Sequence, residues 1–148
     1  MRILLQRVSR AAVRVEGRTV AEIGRGLLLL VAIGKADGFG EYDRLAEKVV
    51  NLRVFPDDSG RMNRSLSEVG GEILVVPQFT LYGNVRRGRR PSWDGAAEPG
   101  IAQDRVEAFA RALEARGATV RRGAFREHME VELVNDGPVT LWMDAAEL

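Results

Sequence analysis

The sequence predicts a single α+β domain over residues 1–148. Its sheet is expected to be a curved or barrel-like antiparallel β-sheet that carries two main helices on one side. Most apolar residues occur in short runs or alternate with polar ones, which is typical of strands. Two segments, near residues 42–52 and 101–116, instead repeat their apolar residues at helical spacing. A chain of 148 residues is the size of one domain with a real core.

Short apolar runs and turn residues alternate over the first half of the chain. The predicted strands are residues 3–8, 13–15, 20–23, 27–33, 53–55 and 73–76. Glu16-Gly17 supplies a turn, and the run at 27–33 is apolar enough to be buried on both faces. The first helix begins near Tyr42 and ends near Leu52, and Pro77 stops the strand at 73–76.

A long loop, a helix and three strands are predicted for the second half. Glycine, proline and polar residues dominate 83–100, the helix follows at 101–116, and the strands are 119–122, 129–134 and 139–143. Residues 135–138, Asn-Asp-Gly-Pro, are typical of a hairpin turn between the last two strands. A second interpretation is a Gly137-Pro138 bond held cis, which would present carbonyl oxygens in a fixed direction.

The composition excludes several kinds of protein. The chain has no cysteine and a single histidine, so disulfides, thiolate chemistry and a histidine-based metal site are not expected. We expect no metal and no cofactor. Since 22 basic and 21 acidic residues leave a net charge of +1, the chain is not histone-like. Its apolar runs are too short for a signal peptide or a membrane span, so the expected compartment is the cytoplasm.

The sequence offers few candidate groups for ordinary side-chain acid–base catalysis. The sequence lacks a G-x-S-x-G elbow, a Walker loop and a G-x-G-x-x-G fingerprint, and its only histidine, His128, is expected to be a surface residue. Residues 77–83 are more informative, because Gln78 and Thr80 at a strand end would share one face. Free backbone N–H groups there could stabilise an oxyanion. The alternative is an ordinary strand.

Arginines cluster in the long loop. Lys35 and Lys48 are the only lysines among the 22 basic residues, and four of the arginines fall within five positions: Arg86, Arg87, Arg89 and Arg90. Arginine binds phosphate through a planar fork of donors, and Trp93 follows as an aromatic that could stack on a base. The cluster therefore predicts either contact with nucleic-acid phosphates or a solvated charged loop.

Taken together, these segments resemble the D-aminoacyl-tRNA deacylase family over nearly the whole chain. The matching segments are residues 6–8, 13–17, 51–55, 78–82, 88–92, 123–125 and 135–140. The resemblance implies a homodimeric hydrolase that cleaves the ester between a D-amino acid and the terminal adenosine of tRNA.

The resemblance also implies roles for particular residues. A cis Gly137-Pro138 segment would enter the partner's active site as a chirality filter, and Arg7 would hold it in place. Gln78, Phe79 and Thr80 would form the catalytic wall, beside Pro77, and Phe125 would flank the adenosine. Backbone N–H groups near Phe79 and Thr80 would stabilise the oxyanion with help from the ribose 2′-hydroxyl, and the rival mechanism makes Thr80 a covalent nucleophile. A filter that reads only the α-carbon should also admit glycine.

One residue departs from the family pattern. Pro77 replaces the usual serine before Gln78, which removes a hydroxyl and a backbone donor from the edge of the site. A related branch carries Pro-Gln there and removes L-alanine from mischarged tRNA, but that branch lacks the aromatic that Phe79 supplies. The alternatives are thus this relaxed-chirality deacylase and an RNA-binding module without catalysis.

Overall fold

A computed structural model of the chain describes residues 1–38 and 40–148. The strands are β1 (Arg2–Val15), β2 (Arg18–Ile23), β3 (Gly26–Ala32), β4 (Phe55–Pro56), β5 (Met62–Arg64), β6 (Glu72–Pro77), β7 (Thr119–Arg122) and β8 (Glu130–Asp144). The α-helices are α1 (Glu41–Asn51), α2 (Leu66–Val69) and α3 (Pro99–Glu114). One-turn 3₁₀ helices follow at Phe79–Tyr82, called the 79–82 helix below, and at Ala145–Glu147.

The main sheet has the order β2-β1-β3-β6-β7, and β8 pairs with the other edge of β1. The α+β fold class is confirmed, but the sheet is mixed rather than wholly antiparallel. β6 runs parallel to both β3 and β7, whereas β1 is antiparallel to its three neighbours. The parallel pairs arise because the connections that contain α1 and α3 return the chain to the end of the sheet at which the preceding strand began.

Each face of the sheet packs into its own apolar cluster. Leu27 and Leu29 of β3 join Phe109 of α3 in the cluster under the helices. Leu28 points to the opposite face and joins Val13 and other residues of the curved interior. Because successive strand residues face opposite sides, this burial on both faces explains the unbroken apolar run at 27–33. The predicted arrangement, with the helices on one side of a curved sheet, is confirmed.

β8 is one long strand, so the predicted hairpin between 129–134 and 139–143 is wrong. Both segments pair with β1 instead of with each other. Gln6 lies opposite Thr140 and Val8 opposite Asn135, so that residues 136–139 bulge out opposite Arg7 alone. We call residues 136–139 the Gly-Pro segment. Its Gly137-Pro138 bond is cis, which confirms the second interpretation of this sequence.

The remaining differences are local. The predicted strand at 53–55 is displaced to β4, because Phe55 and Pro56 pair with β5 around the turn at residues 57–60. Helix α2 was not predicted, although the Ser65 and Glu68 of its capping box are visible in the sequence. No helix in the described ranges is long and apolar enough to cross a membrane.

Candidate functional site

A cleft of about 780 Å³ opens at the carboxyl end of β6. Its walls come from the end of β3, the 79–82 helix, residues 93–99, the start of α3 and residues 125–131. Four residues singled out by the sequence line it together: Pro77, Gln78, Phe79 and Phe125. A volume of this size suits a ligand such as a nucleoside.

The chain turns into the 79–82 helix as soon as β6 ends. The Gln78 N–H still donates to the Val31 carbonyl at 2.7 Å, as a further rung between β6 and β3. The Leu81 N–H then donates to the Gln78 carbonyl at 3.2 Å, which closes a 3₁₀ turn. The expectation that Gln78 and Thr80 share one face of a strand is therefore wrong, because pairing with β3 ends at Gln78 and the backbone coils.

This turn presents two backbone donors at the edge of the cleft. Phe79 lines the cleft, whereas Thr80, the next residue, is not part of the lining. The first two N–H groups of a 3₁₀ helix, here those of Phe79 and Thr80, have no acceptor within the helix. The Gln78 side-chain amide donates to the Thr80 hydroxyl oxygen, which fixes both side chains beside those donors. Such an arrangement can bind a carbonyl oxygen and the negative charge that develops on it.

Two aromatic rings form the exposed rim beside this turn. Phe79 is 54% exposed, and its ring meets that of Trp93 edge-on, with 5.4 Å between centroids. Trp93 also lines the cleft. Exposed aromatic faces of this kind can pack against a base or an apolar partner surface.

Sequence reasoning missed most of the charged residues on the rim. Lys35, Arg126 and Glu127 line the cleft, with Asp94 and Glu98 nearby on its wall. His128 also lines it and is exposed, as predicted. These residues are far apart in the sequence and no motif unites them. Trp93, which follows the arginine cluster, was the only local sequence feature that pointed to this rim.

Arg7 holds the Gly-Pro segment through hydrogen bonds and an ion pair. Its side chain is 8% exposed, and Nε donates to the Asp136 carbonyl at 2.9 Å and pairs with the Asp136 carboxylate at 3.3 Å. Its Nη1 donates to the Val54 carbonyl. A Cβ on Gly137 would collide with Arg7 Nη2, and φ there is +125°, so glycine is required at this position.

The Gly-Pro segment lies far from the cleft of its own chain. Pro138 lies six positions before Asp144 in β8, and Asp144 is opposite Arg2 at the end that contacts the 79–82 helix. Since a β-strand rises about 3.3 Å per residue, the distance along the strand from Pro138 to Asp144 is about 20 Å. Gly137, Pro138 and Arg7 are accordingly absent from the lining of the cleft.

The arginine cluster occupies a loop beside the cleft. Reciprocal backbone bonds of 2.8 and 3.1 Å between Asn84 and Ser92 close the base of this arginine loop (residues 84–92). The loop exposes the side chains of Arg86, Arg87, Arg89 and Arg90, and within residues 1–38 and 40–148 none of the four forms an ion pair. The loop thus places four available cations next to Trp93.

Across the described part of the chain, no group of three or more histidine, aspartate or glutamate side chains is placed to hold a metal ion. The charged residues of the cleft rim carry both signs. The available polar chemistry of the cleft is therefore its backbone donors, the Gln78 amide and this mixed rim.

Comparisons with known proteins agree on one family. A sequence model described as "D-Tyr-tRNA(Tyr) deacylase" matches residues 4–144. A D-aminoacyl-tRNA deacylase of Thermomicrobium roseum is 55% identical over 148 residues, covering 100% of this chain and 96% of the relative. One of Roseiflexus castenholzii is 56% identical over 146 residues, covering 99% of this chain and 93% of the relative.

Solved structures show the same fold. The structure of a "c-Myc DNA Unwinding Element Binding Protein" superposes with a TM-score of 0.90 at 36% identity, covering 97% of this chain and 98% of the other. That of a "probable eukaryotic D-amino acid tRNA deacylase" superposes with a TM-score of 0.82 at 18% identity, covering 96% and 97%.

Proposed function

The chain belongs to the D-Tyr-tRNA(Tyr) deacylase family, and we propose that it hydrolyses the ester between a D-amino acid and the 3′-terminal adenosine of tRNA. The observation that supports this most directly is the pair of backbone donors at the start of the 79–82 helix, beside a nucleoside-sized cleft that Phe79 lines. Water adds to the ester carbonyl, the bond to the ribose oxygen breaks, and the products are a free amino acid and tRNA with a free terminal hydroxyl.

The Phe79 and Thr80 N–H groups stabilise the oxyanion of the tetrahedral intermediate. They belong to a turn already built in the protein, so little reorganisation opposes the developing charge. Phe125, which also lines the cleft, packs against the terminal adenosine. The reacting carbonyl is then held between the base-binding wall and the donors.

The ribose 2′-hydroxyl assists the attack in place of a protein base. An aminoacyl ester is already activated by its α-ammonium group, so a modest contribution from the neighbouring hydroxyl suffices. Covalent catalysis by Thr80 fits the geometry less well. Its oxygen accepts a bond from the Gln78 amide, which cannot take the proton that a nucleophilic hydroxyl must lose.

The Gly-Pro segment completes the site of a second copy. A twofold axis midway between the cleft and the Gly-Pro segment exchanges their positions, so each copy places its segment at the partner's cleft. The outer edge of β8 carries Val134, which is 41% exposed, and Trp142, which is 48% exposed. Burying such residues in a homodimer interface is favourable.

The Gly-Pro segment selects the chirality of the amino acid. The segment is held by Arg7 through the Asp136 carbonyl, and its Gly137 and Pro138 carbonyl oxygens lie against the α-carbon and leave space for a side chain in the D direction alone. An L side chain would collide with them, whereas glycine has no side chain and avoids the collision. The preferred substrates are therefore D-aminoacyl and glycyl esters.

The arginine loop binds phosphates of the acceptor end of the tRNA. Its four available cations lie beside a cleft that admits only the terminal nucleoside, so the preceding phosphates pass close to them. The remaining surface has nearly balanced charge, which favours local recognition over coating of a long nucleic acid. Charged tRNA is made and used in the cytoplasm, and we place the protein there.

Ester hydrolysis by the purified protein tests the function. We expect D-tyrosyl-tRNA and glycyl-tRNA to lose their amino acid at least about 100-fold faster than L-tyrosyl-tRNA, because a steric clash costs several kcal/mol. Release of labelled amino acid is followed over time, with a no-enzyme sample to correct for spontaneous hydrolysis.

L-Alanyl-tRNA in the same assay distinguishes the alternatives. Cleavage of the D-tyrosyl and L-alanyl esters together would identify the relaxed-chirality branch and implicate Pro77, which the Pro77→Ser variant would then test. Survival of all esters despite salt-dependent tRNA binding would reject the enzymatic function in favour of an RNA-binding module.

Thr80→Ala separates the two mechanisms. The variant keeps the backbone N–H and loses only the hydroxyl, so we expect kcat to fall by no more than about 10-fold. Single-turnover hydrolysis of D-tyrosyl-tRNA measures this. Loss of turnover to the uncatalysed rate would contradict the backbone mechanism and support Thr80 as nucleophile.

Neutralising the arginine loop tests the phosphate contacts. A variant with glutamine at positions 86, 87, 89 and 90 should raise KM for D-tyrosyl-tRNA and leave kcat within about twofold. Its plot of log KM against log salt should lose about 0.7 of slope for each contact removed. The control makes the same charge change at positions away from the cleft: Arg14, Arg18, Arg61 and Arg64. Equal KM effects in both variants would contradict a local role.

A further inference from the structure

We propose that Arg2 is a positioning residue that holds the 79–82 helix, and with it the Phe79 and Thr80 N–H groups, in the orientation that the reaction needs. The catalytic meaning of those N–H groups rests on the proposed function. The contacts of Arg2 do not, and they can be tested by themselves.

The guanidinium of Arg2 bonds to two elements at once. Nη1 donates to the Leu81 carbonyl at 3.1 Å, and Nε donates to the Asp144 carboxylate at 3.0 Å. Arg2 and Asp144 are directly opposite on the β1–β8 ladder, so the carboxylate is itself held by the sheet. One planar cation therefore fastens the 79–82 helix to the end of β8.

Two aromatic rings add to this attachment. The Arg2 Cζ lies 4.3 Å from the centroid of the Tyr82 ring and 5.6 Å from that of Trp142. Tyr82 is the last residue of the 79–82 helix, so the cation contacts both its backbone at Leu81 and its final side chain. Such contacts are attractive because the ring faces are electron-rich.

The Tyr82 hydroxyl extends the attachment to a second point. It donates to Asp37 Oδ2 at 3.4 Å. Burial, and then the negative charge of Asp37, raise the pKa of Tyr82 well above its ordinary value, so the phenol keeps its proton. The Tyr82 side chain is thus held at both its ring and its hydroxyl.

External contacts of this kind matter because the helix is too short to fix itself. A four-residue 3₁₀ turn has few internal hydrogen bonds and poor bond geometry. The backbone hydrogen bonds at its two ends run from the Leu81 N–H to the Gln78 carbonyl at 3.2 Å and from the Gly83 N–H to the Thr80 carbonyl at 2.9 Å. If Leu81 and Tyr82 lose Arg2, the two donors at the other end of the turn lose their fixed direction.

The test compares Arg2→Met and Arg2→Lys with a matched control on the same two strands. Arg10 of β1 pairs with Glu132 of β8 at 2.5 Å and contacts neither the cleft nor the 79–82 helix, so Arg10→Met removes a cross-strand ion pair alone. Two readouts are used: single-turnover kcat and KM on D-tyrosyl-tRNA, and backbone amide hydrogen exchange over residues 78–83. Thermal unfolding confirms that each variant is folded.

For Arg2→Met we expect kcat to fall about 10- to 100-fold with KM within threefold, because the donors are misdirected while substrate binding is kept. Amide exchange at Leu81 and Gly83 should accelerate at least about 10-fold. Arg2→Lys should recover part of both effects, since a lysine keeps the charge but cannot bond and stack in the same plane. Arg10→Met should match the wild type in both.

If Arg2→Met has the same kcat and the same amide exchange as Arg10→Met, the positioning role is wrong. Slow turnover with unchanged exchange over residues 78–83 would also overturn it, because Arg2 would then act otherwise than through the helix. If the wild-type protein fails to cleave the ester, the proposed function is wrong, and the exchange measurement still decides whether Arg2 holds the helix.

Discussion

The antiparallel pairing of β1 with β8 is the constraint on which the account of the site depends. The ladder runs from Arg2 opposite Asp144 to Arg14 opposite Glu130, interrupted by the bulge opposite Arg7. It therefore keeps the Gly-Pro segment about 20 Å from the end of β8 that contacts the 79–82 helix. A single chain cannot close this gap without breaking the ladder, so the proposed filter would have to act at the cleft of a second copy.

The buried guanidinium of Arg7 fixes the conformation of the Gly-Pro segment. A buried cation is costly unless it is paired and hydrogen-bonded, and here the acceptors are the Asp136 and Val54 carbonyls and the Asp136 carboxylate. The Asn135 side chain adds bonds to the Arg7 carbonyl at 2.9 Å and the Val139 carbonyl at 3.0 Å. Because these groups satisfy one another, the bulge has a fixed shape without contact from the cleft.

Features encoded by neighbouring residues were predictable from the sequence. The apolar run at 27–33, the strand at 119–122 and the two main helices follow from local periodicity. The convergence of Pro77, Gln78, Phe79 and Phe125 on one cleft was expected from the resemblance and is seen in the structure. The roles of these residues, and of Thr80, Arg7 and the Gly-Pro segment, stay predictions.

Features decided by distant contacts were not predictable in this way. The residues at 135–138 have the composition of a hairpin turn, but pairing with β1 on both sides of them outweighs that local preference. Residues 79–82 have strand-forming side chains, yet they coil because β3 offers no further partner. Lys35, Arg126 and His128 meet at the cleft only through the fold, and Arg126 adopts a φ of 62° that its sequence does not indicate.

Subunit complementation tests the central claim, that each site is built from two copies. One variant, Phe125→Asp, places a carboxylate in the cleft, and the other, Gly137→Ala, displaces the Gly-Pro segment against Arg7. As homodimers, Phe125→Asp is expected to be inactive, whereas Gly137→Ala is expected to hydrolyse L-tyrosyl-tRNA as well as D-tyrosyl-tRNA because its filter is displaced. A heterodimer purified through two different tags has one intact cleft facing one intact segment, so it should hydrolyse D-tyrosyl-tRNA at about half of the wild-type turnover per dimer and leave L-tyrosyl-tRNA intact. A heterodimer that hydrolyses L-tyrosyl-tRNA as Gly137→Ala does, or full activity in a wild-type monomer, would contradict the account.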